Sequence, residues 1–167
     1  MKRRLIALLL SLALVFALSG CGLNVPRPEI KTGEFNFSVT YEYGGETKTI
    51  SGVYVCEYDG LDWAIDGGYY REWRGYIKDD AYEEQIKLGV APDGGVVELN
   101  LGLDSDCFMG DPDYYSDEPF APWISVRIVD EGLSFENDAE LIAEVYGARV
   151  ISYECDEPIT NSFGLFK

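Results

Sequence analysis

From residue 34 onward, apolar and polar residues alternate with a period of two. Phe35, Phe37, Val39, Tyr41 and Tyr43 interleave with Glu34, Asn36, Ser38, Thr40 and Glu42, the pattern of a strand with one face on a core and the other in water. Gly44-Gly45 follows, and residues 47–58, rich in β-branched and aromatic side chains, return as a partner, so the pair predicts a hairpin. Further strands are predicted over residues 69–77, 85–90, 96–101, 123–129 and 149–155. They are separated by Asp59-Gly60, Asp66-Gly67-Gly68 and Pro92-Asp93-Gly94-Gly95, residues that accept the backbone angles of turns. A single stretch changes to helical spacing: Leu141, Ile142 and Val145 share one side, Asn137 or Asp138 stands at the N-cap, and Gly147 stands where a helix ends. Residues 158–167 show no clear pattern. Short strands joined by glycine-rich turns predict a mainly β domain, an antiparallel β-sandwich or open barrel with one short helix near residues 138–146.

The beginning of the chain has a different pattern. Lys2, Arg3 and Arg4 are basic, and residues 5–18 are apolar apart from Ser11, the charge and apolar run of an export signal. About twenty apolar residues are needed to cross a bilayer, and this run is shorter. It ends in Leu18-Ser19-Gly20-Cys21, which resembles the lipobox of bacterial lipoproteins. The resemblance covers only the first twenty-one residues. It implies cleavage before Cys21, acylation of that thiol, and an extracytoplasmic protein lipid-anchored to the cell membrane, held there by two or three acyl chains because one alone binds marginally. Residue 22 is glycine, so the aspartate that retains some lipoproteins in an inner membrane is absent. Residues 21–33, with Pro26 and Pro28, read as a flexible, lipid-anchored linker, and residues 34–167 as one β-rich domain.

Charge narrows the partners. The chain carries −17, and residues 1–20 hold three of its thirteen basic residues and none of its acids, so the processed protein carries −20. Such a surface repels phosphate backbones, which leaves no place for nucleic acid and lets the membrane be met through lipid. A cell-envelope glycan or a basic protein are the partner classes that fit. With Cys21 acylated, Cys56, Cys107 and Cys155 remain; one bridge at most can form, Cys56 with Cys155 being one pairing and three thiols the alternative.

Catalytic and metal chemistry find little purchase. The sequence has no histidine, which removes the usual acid-base group near neutral pH and the serine and cysteine hydrolase arrangements that depend on it. A carboxylate pair, as in glycosidases, stays available, but thirty acidic residues produce such pairs by chance. No cofactor is expected. The densest acidic run, Asp104, Asp106, Asp111 and Asp113 around Cys107, Phe108 and Gly110, is the candidate for a cation such as calcium. Its glycine comes one place late for an EF-hand loop and Phe108 occupies a ligand position, so a solvated acidic loop is the competing reading.

Aromatic density is the other candidate. Trp63, Tyr69, Tyr70, Trp73, Tyr76 and Tyr82 crowd around Arg71 and Arg74. Rings stack on sugar faces, which makes Trp63, Tyr69, Tyr70, Trp73 and Tyr76 the candidate ligand-binding residues; core packing and cross-strand pairing compete with that role. The two arginines are expected to pair with acids or stack on rings. The expectation is therefore a membrane-anchored lipoprotein whose domain is a non-catalytic binding or structural module. A carboxylate-dependent envelope enzyme or accessory subunit, and a calcium-dependent interaction module, are the alternatives.

Overall fold

The computed structural model describes residues 25–65, 67–113, 118–129 and 133–164; Cys21 and the expected export signal lie outside them. The alternating segments form antiparallel sheets. Strands β2 (Thr32–Tyr43), β3 (Glu46–Trp63), β4 (Tyr69–Ile77) and β9 (Ala148–Cys155) make one four-stranded sheet in the order β4-β3-β2-β9. Strands β5 (Gln85–Val90), β6 (Val96–Asn100), β7 (Trp123–Val129) and β8 (Leu133–Glu136) make a second, in sequence order. A third, small pair joins β1 (Arg27–Pro28) to β10 (Phe163–Gly164). The architecture is a sandwich and not a closed barrel.

Register explains the core. The β2–β3 pairing sets Phe35 opposite Tyr54 and Val39 opposite Ile50, and the same phase of β2 buries Phe35, Phe37, Val39 and Tyr41. From the other sheet Val97, Leu99, Ile124 and Val126 join the same apolar cluster. Burial of side chains this large contributes about 1.5–3 kcal/mol each, so a one-residue slip in β2 would turn the whole set toward water. The opposite phase of the second sheet is polar, with Asn100 Nδ2 donating to Ser125 Oγ at 2.9 Å and Arg127 to Glu98 at 2.8 Å.

The expected helix is present as α2, where α1 is a single turn at Ser105–Phe108 and α2 spans Ala139–Tyr146. Asp138, not Asn137, is its N-cap: Oδ1 accepts from the backbone N–H groups of Glu140 and Leu141, both at 3.0 Å. Gly147 closes it in the left-handed region, at φ 61°. Ile142 faces the core.

Three features depart from the expected pattern. Asp59-Gly60, expected as a turn, lies inside β3 and forms a bulge, with the register to β4 shifting between Tyr58 and Gly60 and Gly60 at φ 120°; one extra residue there twists the strand without ending it. The acidic run contains α1. And residues 27–33, read as linker, are paired in β1 and the start of β2, with Pro28 buried, while the patternless tail contributes β10.

Candidate functional site

Strand β4 alternates in burial, and its inward phase carries Tyr69, Arg71, Trp73, Gly75 and Ile77. An arginine therefore enters the protein in step with core residues. The side chain of Arg71 is 2% exposed, a position that demands a matched anion because an unpaired buried charge is far costlier than a paired one. The acidic run supplies it. Asp104 accepts from the Cys107 N–H at 3.0 Å and so caps α1; Phe108 and Met109 plug into the core; Gly110, at φ 62°, reverses the chain.

That reversal sets Asp111 against Arg71. Arg71 Nε donates to Asp111 Oδ2 at 2.6 Å and Nη2 to Oδ1 at 2.5 Å, a two-pronged arrangement that fixes both groups. Trp73 Nε1 donates to Asp111 Oδ2 at 2.8 Å, and the Asp113 N–H to Asp111 Oδ1 at 3.0 Å. Arg71 Nη2 also reaches Asp113 Oδ2 at 2.6 Å, and Nη1 reaches the Pro26 carbonyl at 3.1 Å. Phe163 lies under the guanidinium, with its ring centroid 4.6 Å away. One cation thus ties β4, the acidic loop, the start of the described chain and β10.

Proton affinities follow this geometry. Burial pushes the Asp111 carboxyl up, but the Arg71, Trp73 and Asp113 N–H groups outweigh it and hold the carboxyl below its ordinary value. At Asp106 the balance is reversed: burial, then the charges of Asp104 and Asp111, outweigh its own backbone N–H and the Arg71 charge and push it up to about 6. Burial likewise raises Glu84. Neither raised carboxyl lines the hollows of about 330 and 430 Å³ beside β9, where Asp156 instead accepts from the backbone N–H and side-chain amide of Asn36 at 2.7 and 2.8 Å.

Two of the four carboxylates expected to converge on a bound cation meet the guanidinium instead. Asp111 and Asp113 are committed to Arg71, and Asp104 to the helix cap. Among the described residues no group of three carboxylates or thiols is placed to hold a metal ion. Nor do the described residues contain a disulfide: Cys56 is buried, and Cys107 and Cys155 are half-buried.

The five aromatic candidates fall into different environments. Trp73 is buried as Asp111's donor, with Tyr58 edge-on to its ring at 5.4 Å. Trp63 and Tyr69, paired across β3 and β4, stand edge-to-face at 4.9 Å on the inward phase beyond the core, and both are exposed. Tyr70 and Tyr76 occupy the outward phase, where Tyr70 donates to Asp62 and Tyr76 to Glu57, each at 3.1 Å. Arg74 stands 5.9 Å from the Tyr76 ring centroid. Arg71 was expected to pair with a nearby acid or stack on a ring, and it does both, but its acid, Asp111, is 40 residues away and was not named; the signal of its burial was an arginine in the buried phase of an alternating strand. Comparison of the chain with protein-family models, curated proteins and solved structures finds no match.

Proposed function

We propose that this protein is an extracytoplasmic lipoprotein, anchored to the cell membrane through acylated Cys21, whose β-sandwich is a non-catalytic binding or structural module of the cell envelope. The observation that carries this reading is the lipobox-like Leu18-Ser19-Gly20-Cys21 after a basic and apolar leader. The arrangement of the domain supports it. Pro26 is bonded to Arg71, so the body of the protein starts five residues beyond Cys21 and is held close to its anchor. The charged centre is committed within the fold: Arg71, Asp111 and Trp73 bond one another, Asp113 and the Pro26 carbonyl, which suits a structural clasp better than a reactive group.

Mass spectrometry of the intact protein recovered from its native cells tests the proposal. The expected product begins at Cys21, carries acyl chains and sediments with membranes, and Cys21→Ala leaves the signal uncleaved. An unacylated product in the cytosol overturns the reading.

A further inference from the structure

The end of the β3–β4 hairpin is unusually apolar for a surface of such acidity. Trp63, Tyr69 and Tyr70 are 55%, 37% and 44% exposed, and Ile65 is fully exposed. The tip is nevertheless well built. Ala64 N–H donates to the Gly68 carbonyl at 2.8 Å and Gly67 N–H to the Ala64 carbonyl at 2.9 Å. Asp62 accepts from both the Trp63 N–H and the Tyr70 hydroxyl. Apolar side chains held rigidly in water call for a partner.

Position in the fold identifies which one. Arg71, which holds Pro26, pairs with Leu61 and is two residues from Tyr69, about 7 Å along the strand. The five residue steps from Cys21 to Pro26 reach roughly 17 Å when extended. The tether therefore lets the anchor reach the pole that carries the aromatic tip. Gly44-Gly45 lies at the opposite end of β3, up to roughly 55 Å away along the strand.

We propose that the Trp63 to Tyr70 tip is the surface this protein sets into the bilayer, its rings seated at headgroup level beside the acyl chains of Cys21. This rests on the lipid anchor proposed above. Tryptophan and tyrosine favour that depth because one end of each ring is apolar and the other is wet. The disposition of the rings also separates a bilayer from a glycan. Trp63 and Tyr69 lie on one face of the hairpin and Tyr70 on the other, and the Trp63 and Tyr69 planes stand at 83°. A sugar stacks on a flat platform on one side, whereas lipid surrounds a wedge on both. Asp62 and Glu72 flank the tip and Asp66 belongs to its sequence, so the favoured surface is zwitterionic and binding weakens as anionic lipid is added.

The test uses the full-length acylated protein in phosphatidylcholine vesicles whose acyl chains are brominated near the headgroup, with tryptophan fluorescence as readout. Quenching is expected in the wild type and in Trp123→Phe, and is lost in Trp63→Phe. Ile65→Asp, at a position fully open to solvent, diminishes it without disturbing the fold, as judged by circular dichroism. If the protein is acylated and vesicle-bound but Trp63 is unquenched, the tip proposal fails and the anchor stands. If mass spectrometry of the same sample shows no acyl chain, the anchor reading fails and the tip proposal with it. A shift of Trp63 emission by soluble peptidoglycan fragments that also abolishes bromine quenching makes the occupant a glycan and overturns the proposal.

Discussion

Trp73 and Asp111 are joined by a hydrogen bond of 2.8 Å from the indole N–H to Oδ2, the same oxygen that Arg71 Nε holds at 2.6 Å. The indole therefore reports directly on the state of the buried ion pair. Removing one partner of such a pair leaves an uncompensated charge and costs about 3–5 kcal/mol, while replacing both with apolar groups is far milder. Because Asp113 stays on Arg71 Nη2, Asp111→Asn is expected to destabilise the domain by up to that amount in urea titrations followed by tryptophan fluorescence. Arg71→Met combined with Asp111→Leu should recover part of the loss. The recovery is incomplete because the Trp73 N–H is left without its acceptor, at about 1–3 kcal/mol. Equal stability of Asp111→Asn and wild type would mean that the clasp does not hold the fold.

The pH dependence of stability carries two opposite contributions from this loop. Asp111 has a lowered pKa in the folded state, so its contribution is present above about 4, the ordinary carboxylate value, and is lost as pH falls through the folded value. Asp106 is raised to about 6. Between about 4 and that value the folded protein holds a proton that the unfolded chain has released, so stability declines as pH rises through the window. Asp106→Asn should accordingly raise the thermal midpoint relative to wild type at pH 7 and give little gain at pH 4.5. The same gain at both pH values would exclude this role for the carboxyl.

Gly110 is constrained twice. Its φ is 62°, a region that costs a residue with a Cβ about 1–2 kcal/mol, and a Cβ there would press into the Ile159 carbonyl oxygen. Gly110→Ala is expected to destabilise by more than the conformational cost alone, and chemical denaturation measures it. Gly44→Ala pays for a positive φ with open space around it, so it should lose less.

The thiols differ in access. Cys56 is fully buried, and burial, then the nearby Asp104 and Asp106, push its pKa up to about 12. A pulse of alkylating reagent on the native protein, mapped by peptide mass spectrometry, should leave Cys56 unmodified until denaturant is added. Half-buried Cys155 should react slowly. Rapid native labelling of Cys56 would contradict the packing around it.

The fold was legible where the signal is local and repeated. Strand β2 announces itself through five alternating apolar residues, and α2 through Asp138, its apolar side and Gly147. Shorter elements were not: α1 is four residues, β1 and β10 two each, too short for any period to register. The clasp lay beyond local reading because Arg71 and Asp111 are 40 residues apart, and only the folded sheets bring the acidic run over β4. Without a partner in view, the carboxylates of that run read as a solvated loop or a calcium site; the positive charge that Asp111 and Asp113 meet belongs to the chain itself. The aromatic cluster was visible as composition, but its division between two faces depends on strand phase and on the bulge at Tyr58 and Gly60, where Asp59-Gly60 reads in sequence as a turn.

The joining of β1 to β10 bears on the order in which the molecule can be completed. Synthesis delivers the N-terminal segment first, yet the groups that secure it come last: Ile30 N–H bonds to the Asn161 side chain, 131 residues later, and β2 lacks one neighbour until β9 arrives. Half of a nascent chain can close the β2–β3 hairpin but not the sandwich. A ribosome that stalls before Asn161 would release a product whose first strand has no partner and whose Arg71 lacks its stacking ring, Phe163, so truncation near the C-terminus should be felt at the opposite end of the sequence.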